Sequence, residues 1–450
     1  LRLRDRVAKA YGSGAHREYA ADWTYARLRP YFRHLGITRL ADISGLDRVG
    51  IPVYQAIVPG SIDRLCVYSG KGPTPVEART SAVMEVLERF SGWLPLRPTT
   101  IAAYRELAAA GRPALRPAEH NLGLLPAYHD DLPIYWVTGH DLLADQPVLV
   151  PHSAVCYTGY PGAPPCYALT TSNGLASGNS LEEAIFHALC ELIERDAMTI
   201  AEIVGSRLAG VLASGVVSPN LTAREAARLT TDRQPRLDPG TVPPSVRPLV
   251  RRFEDAGLRL YLWSIGSDLG VPTVAAYASE ASDDTGRPTS DDGVGHGAHP
   301  DLEVALTRAI TECAQSRAVA AGPIRSAAVP PGDRDVPMAP RRTAIPDGGG
   351  LIPVSELASY PSDDIVADLR LLLDRLRAAG LGRVVVVDLS PPELPGHVVR
   401  VLVPGLESWA IDRSKLGARA AGAWSRAVRE LGEFAGRPGL PDRPGGTGPR

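Results

Sequence analysis

Two separate stretches, "SAVMEVLERFSG" (81–92) and "HALCELIERDAM" (187–198), each set a glutamate, two spacers and a Glu-Arg pair into an otherwise apolar run. At roughly 100° per residue, a helix through the first carries Ser81, Glu85, Glu88 and Arg89 within about a quarter turn of one direction. Val83, Met84, Val86, Leu87 and Phe90 fill its other side. In the second, Glu183, His187, Glu191, Glu194 and Arg195 share a face opposite Ile185, Phe186, Leu189 and Ile193. A third run, "HPDLEVALTRAITECAQSR", opens as a helix N-terminus should, with Pro300 at the first position and Asp301 behind it. It aligns Arg308, Glu312 and Gln315 at i, i+4 and i+7. A single such face is ordinarily a solvated one with ion pairs worth about 0.2–0.5 kcal/mol each. Three of them with flanks this apolar imply a partly buried pocket. Grouped carboxylates there raise one another's pKa unless cations share the site. Magnesium suits such a site, because it takes carboxylates together with substrate phosphates. Arginines beside it can fork onto phosphate oxygens. The residues alone therefore point to a magnesium–nucleotide site.

Around these runs, strand-like and helix-like segments alternate, which places the chain in the α/β class. Residues 1 to about 50 read as helix with a turn before "LADISGL". "IPVYQAIVPG", "RLCVYSG", "LPIYWVTGHDLL", "PVLVPHSAVCY", "RLYLWSIG", "PTVAAYAS", "RVVVVDLS" and "VVRVLVPG" read as strands. "DIVADLRLLLDRLRAAGL" is a long amphipathic helix. "TTSNGLASGNS" and "SDDTGRPTSDDGVGHGAH" read as polar loops, and the Pro/Gly-rich region of about 323–355 as an insertion. The expected organisation is an N-terminal helical segment (1–60), a catalytic domain (61–420), and a helix end with a flexible Pro/Gly tail (421–450).

A net charge of -2 over 450 residues, without a Lys/Arg cluster, gives no sign of a nucleic-acid partner. No apolar run is long enough to suggest a membrane span. Five scattered cysteines (Cys66, Cys156, Cys166, Cys190, Cys313) show neither zinc-site spacing nor a disulfide framework, so a reducing, cytoplasmic setting is expected. No G-x-x-x-x-G-K-[ST] occurs, and "GVGHGAH" is only a fragment of a glycine-rich pattern. Its His296 and His299 read as structural. "SGKG" (69–72) presents Lys71 at a strand end, where it is free to approach a phosphate.

Taken together, "SGKGPTPVEARTSAVMEVLERFSG", "SNGLASGNSLEEAIFHALCELIERDA" and "HGAHPDLEVALTRAITECAQSR" resemble the YcaO superfamily. "GITRLADISGLDRVGIPV" and the late "VRVLVPGLE" match the same family in order, so the resemblance spans roughly residues 25 to 420. It implies a YcaO-type fold of mixed sheets and helices, with a non-P-loop ATP site between helices. It also implies ATP- and Mg-dependent modification of a peptide backbone amide. By motif, Lys71, Ser81, Arg89, Asn179, Arg195 and Arg308 resemble ATP-binding positions. Glu85, Glu88, Glu183, Glu191, Glu194 and Glu312 resemble magnesium ligands, and Gln315 is a further catalytic candidate. The implied partners are a precursor peptide and a TfuA-like or leader-binding protein, with homodimerisation as a further option. The ending "RPGLPDRPGGTGPR" lacks the Pro-x-Pro-x-Pro of azoline-forming members, and no long segment precedes the motifs for a leader-binding domain. Together with the opening motif these features favour thioamide formation over azoline or amidine formation. An ATP-binding adaptor without chemistry and a carboxylate-rich metal hydrolase are the competing classes.

Overall fold

The computed structural model describes residues 1–10, 16–61, 66–119, 128–156, 171–213, 234–280, 292–321, 350–412 and 415–435. Helix α1 (Ala21–Leu28) leads into strands β1 (Arg39–Asp42), β2 (Val53–Ile57) and β3 (Val67–Lys71), which form a three-stranded sheet. Helix α2 (Pro75–Trp93) follows directly. Next come β4 (Thr100–Ala102), α3 (Tyr104–Ala109), β5 (Ile134–Asp141), β6 (Gln146–Pro151), the single turn α4 (His152–Val155) and β7 (Leu175–Gly178). Helix α5 (Leu181–Glu202) then runs through a five-residue π turn into α6 (Leu208–Ala213). The next part of the chain holds β8 (Arg236–Leu237), α7 (Arg247–Asp255), β9 (Leu258–Ser264), β10 (Thr273–Glu280), β11 (Gly293–Ala298) and α8 (Leu302–Ala321). Last are α9 (Ile365–Ala378), β12 (Val385–Asp388), β13 (His397–Leu402), α10 (Trp409–Asp412) and α11 (Ala418–Ala435).

The strands make three sheets, ordered β1-β2-β3, β11-β10-β9-β8 and β4-β5-β12-β13-β7 with β6 beside β5. Every pair of these strands is antiparallel. The α/β alternation expected from the sequence is present, built on antiparallel rather than parallel sheet.

Each sheet is covered by one of the three charged helices. Ala82, Val83, Val86 and Leu87 of α2 share a core with Ala56 and Tyr68 of the first sheet. Ile185, Leu189 and Ile193 of α5 pack with Ala176, Val399 and Val401 of the six-stranded sheet and with Leu369, Leu372 and Leu376 of α9. Ala305, Ala309 and Ile310 of α8 pack with Leu260, Leu262, Val274 and Ala276 of the four-stranded one. In each case a strand leads straight into its helix: β3 into α2, β7 into α5, β11 into α8. Glycines allow the two to touch at backbone level. A Cβ on Gly70 would lie 2.0 Å from Ala82 N, one on Gly178 2.5 Å from Ala184 N, and one on Gly295 2.2 Å from Ala309 O.

Those contacts explain two differences from the sequence reading. "LASG", within the segment 170–180 expected as a loop, is strand β7, and "GVGHGA", also expected as loop, is strand β11 and leads into a helix. Strand glycines there mark close backbone approach rather than a turn. The third difference is the N-terminus. Residues 1–50 are not mainly helix: α1 is short, β1 lies within the span, and the first ten residues hold no helix. Tertiary pairing overrides local propensity here. Lys9 N donates to Asp363 O at 3.0 Å, Ile365 N to Val7 O at 2.9 Å, and Val7 N to Asp364 Oδ1 at 2.8 Å. The Lys9 ammonium, fully buried, meets Asp368 at 2.5 Å. Most of the proposed 323–355 insertion and the tail beyond 435 lie outside the described residues.

Replacing Gly295 with Ala is expected to cost about 1–3 kcal/mol or more, because backbone atoms of α8 cannot yield to a Cβ. Gly45, with nothing within 4 Å of a built Cβ, serves as the control, and its Ala variant is expected to stay within about 0.5 kcal/mol of wild type. Urea denaturation midpoints of the two variants check the contrast.

Candidate active site

Helix α2 starts from a fixed point, since Thr74 and Glu77 form a reciprocal capping box and Pro75 takes the first turn. That sets the rotation of the helix and hence the direction of Ser81, Glu85, Glu88 and Arg89. Ser81 is half-buried one turn before Glu85. Arg89 spans the two carboxylates beside it, with Nη2 3.5 Å from Glu85 and Nη1 3.6 Å from Glu88. Glu88 is in a poor position to ionise. Burial, then the neighbouring Glu191 and Glu85 charges, push its carboxyl up to about 8 despite Arg89. Glu191 of α5 is raised by burial and by Glu194, against the pull of Arg195, Arg89 and Arg308. The sequence-predicted residues of α2 and α5 therefore face one another, with more buried negative charge than the arginines fully compensate.

Arg308 and Glu312 of α8 complete the cluster. The Arg308 Nη1 donates to His187 Nε2 at 2.9 Å, while its buried Nε has no hydrogen-bond partner. Glu312 differs from Glu88. Burial pushes it up, but the ion pair with Lys71 and the nearby Arg195 and His296 outweigh that and hold it well below the usual carboxylate range. Gln315 donates to Ser69 O at 3.0 Å, tying α8 to β3 next to Lys71. Glu194 is buried, accepts from Ala298 N of β11 at 3.2 Å and meets Arg195 at 3.2 Å. Helix α8 is thereby joined to α5 through Arg308 and to β3 through Glu312, and α5 to β11 through Glu194.

Asn179 and Glu183 are engaged at the other end of α5. Asn179 accepts from Thr24 Oγ1 at 2.9 Å and donates to both Glu183 oxygens at 3.3 Å. Glu183 also accepts from Glu18 N at 2.9 Å and meets Arg17 at 3.2 Å. Among the described residues, no group of three His, Cys, Asp or Glu forms a ready-made metal cage. Basic side chains lie against most of the candidate carboxylates instead. Such a site fits Mg2+, which keeps several waters and binds through one or two carboxylates plus substrate phosphates. The raised Glu88 and Glu191 call for a cation, and the orphaned Arg308 Nε calls for an anionic oxygen.

Three residues outside the sequence-based set belong to this region. Arg17 reaches Glu183 and the His187 ring (3.4 Å to Nδ1), and nothing in its local sequence signals this. His187 is held well below its ordinary pKa, first by burial and then by Arg17 and Arg308, so its neutral ring can accept from Arg308. Its place on the charged face of α5 was the available signal. Arg400 of β13 is fully buried, and burial and the adjacent Arg89 push it down to about 10. A lone arginine inside "VVRVLV" was the signal there.

A model described as the YcaO cyclodehydratase family, ATP- and Mg2+-binding, matches residues 69–407. The chain belongs to the YcaO family. An uncharacterized protein of Methanothermobacter thermautotrophicus is 34% identical over 397 residues, covering 86% of this chain and 93% of the relative. A Rhizobium leguminosarum bv. trifolii protein named for its place in the tfuA 3′ region is 32% identical, covering 85% of this chain and 87% of the relative. Among solved structures, YcaO from Methanopyrus kandleri, bound with AMPPCP and Mg2+, has a TM-score of 0.65 at 26% identity over 91% of this chain and 98% of that one. A heterocyclase in complex with substrate and cofactor has a TM-score of 0.69 at 23% identity; it covers 93% of this chain, which spans 55% of its length. The YcaO fold is thus shared across the described structure, and ATP and Mg2+ are the cofactors of the family. Among the described residues, no helix is long and apolar enough to cross a membrane.

Because the Glu88 carboxyl titrates at about 8 instead of 4.5, the ligand-free folded protein holds a proton there more tightly than the unfolded chain does. That contribution is complete below the ordinary carboxylate value and is lost as pH rises towards 8. The melting temperature of ligand-free protein is expected to fall across this window, with Glu191 adding to the slope. In Glu88→Gln, whose side chain stays neutral, the slope is expected to flatten. An unchanged slope in thermal melts of the variant contradicts the assignment.

Proposed function

We propose that this protein modifies a peptide backbone amide at the expense of ATP, and that the product is a thioamide in a ribosomally made precursor peptide. The observation that carries the reading is the pair of raised carboxyls, Glu88 pushed up by burial and by Glu191 and Glu191 by burial and by Glu194, beside an arginine whose Nε lacks an acceptor. Glu85, Glu88, Glu191, Glu194 and Glu312 are the residues to hold magnesium, with Glu183 fixed at the same wall. Arg89, Arg195, Arg308 and Lys71 are the residues to meet phosphate, with Ser81 and Asn179 as further nucleotide-binding candidates. Bound MgATP supplies a phosphoryl group that turns an amide oxygen into a leaving group. The protein's own task is positional and electrostatic: to align the amide oxygen and to neutralise charge as it passes to phosphate. His187 keeps Arg308 aimed, and Lys71 keeps Glu312 ionised.

Support for the thioamide comes from the Rhizobium relative named for the tfuA region, which also suggests a TfuA-like partner for this chain. The family description as a cyclodehydratase favours a second reading, azoline formation by internal attack of a Cys, Ser or Thr side chain. Purified protein is to be incubated with ATP, magnesium, sulfide, a candidate precursor and a TfuA-like partner, and the peptide analysed by mass spectrometry. Exchange of oxygen for sulfur supports the lead reading, and loss of water supports the second. ATP binding that no peptide ever converts to turnover leaves only an adaptor role. In Glu88→Gln and Glu194→Gln, ATP turnover is expected to fall by about 100-fold or more with the fold retained. Near-normal turnover in both removes the site assignment.

A further inference from the structure

His152 and Cys156 leave the same turn, since Cys156 N donates to His152 O at 3.1 Å at the end of α4. The His152 Nε2 lies 3.0 Å from Leu96 O and 3.2 Å from Cys156 Sγ. A carbonyl only accepts, so Nε2 carries the hydrogen, and the sulfur faces a donor rather than a base. His152 is 3% exposed, and burial holds it below the ordinary histidine pKa, in keeping with a neutral ring of this tautomer. Cys156 itself is half-buried.

Arg400 reaches the same turn independently. Its Nε donates to Val155 O at 3.2 Å and its Nη1 to Asn173 O at 2.8 Å, while the buried Nη2 has no hydrogen-bond partner. The charges it feels are Arg89, Glu191, Glu88 and Cys156. One buried guanidinium with an unused donor is therefore in electrostatic range both of the cysteine and of the carboxylates of the ATP site. A ring N–H and a guanidinium both stabilise anionic sulfur, the reactive form in thiol exchange.

We propose that Cys156 is a sulfur-carrying site: it takes up a sulfane sulfur as a persulfide and releases it as hydrosulfide beside the amide-activating centre, with His152 Nε2–H and Arg400 holding the sulfur as an anion. The inference rests on the thioamide reading and names how that site obtains its nucleophile. In loading, the Cys156 thiolate attacks the outer sulfur of a donor persulfide R–S–SH. An S–S bond forms on Cys156, the donor's S–S bond breaks, and the donor leaves as R–S⁻ while the proton stays on the transferred sulfur. In release, the thiolate of a low-molecular-weight thiol R′–SH attacks the Cys156 sulfur and expels HS⁻, leaving a mixed disulfide. A second R′ thiolate attacks the R′ sulfur of that disulfide, restoring the Cys156 thiolate and giving R′–S–S–R′. The two thiols supply the two electrons that reduce sulfane sulfur to sulfide.

The full-length protein is treated with glutathione persulfide, without ATP or peptide, and its cysteines are mapped by mass spectrometry. The expected result is one added sulfur on Cys156, about tenfold faster than on Cys66, the other half-buried cysteine among the described residues. No loading of Cys156, or equal loading of both, overturns the inference. With peptide, ATP and glutathione added to protein that has been loaded with the persulfide and then freed of excess donor, Cys156→Ser is expected to form about tenfold less thioamide than wild type, and added sulfide to restore it. The sulfide rescue also shows that the variant is folded. Thioamide formed equally well by Cys156→Ser from the persulfide overturns the inference and leaves thioamidation standing. Loss of water without sulfur gain by wild type overturns the thioamide reading, and the delivery role falls with it.

Discussion

Direct backbone contact between a strand and the helix that follows it governs this structure. At β3–α2, β7–α5 and β11–α8 a glycine lets the helix lie where a side chain would otherwise stand. Spacing of that kind leaves a helix little freedom to roll or slide, so the direction of every side chain on it is set by the strand beneath. The apolar side of each helix is spent on its sheet, and the charged side is left for the other helices. Three separate sheets thereby deliver three charged faces to one place.

The charges that result are unequally served. Glu312 has a lysine in contact and stays ionised, and Glu183 has an arginine, a backbone N–H and an amide. Glu88 depends on Arg89 and is raised by Glu191 and Glu85, while Glu191 is raised by burial and Glu194 in spite of Arg195 and Arg89. Burying like charges without full compensation costs stability in the absence of a ligand. The same imbalance lends binding energy to a divalent cation, which removes the repulsion on arrival.

Much of this was legible in advance, and the exceptions are instructive. The helices of the charged runs could be read because apolar spacing and caps agree with each other there, as at Thr74–Glu77. Strands β7 and β11 look like loops in sequence because glycine weakens every local sign of strand. Their register is enforced by neighbours distant in sequence, such as Val398 opposite Ser177. That the charged faces of α2 and α5 meet follows from charge pattern, since a narrow polar stripe on an apolar helix has to face something polar; that Glu191 is the residue beside Glu88 takes the fold to show. Arg17 carried no such sign. Its role depends on where the N-terminal stretch docks, and that is decided by residues near 365. Arg400 stood out as a charge in a buried-type strand, yet only the fold shows it reaching back to α4 and the 173 loop.

The docking of the N-terminal stretch also orders events during synthesis. Val7 is paired with Asp364, 357 residues later, and Lys9 is buried against Asp368. Arg17 sits only a few residues beyond this anchor. While the chain is being made, Val7 and Lys9 have no seat until Asp364 and the start of α9 have been translated, so they wait unpaired while the residues between are added. The wall of the site formed by Arg17 and Glu183 accordingly closes late. A chain that stops short of α9 carries the α2 and α5 carboxylates without it, which leaves the candidate site unfinished until α9 has been made.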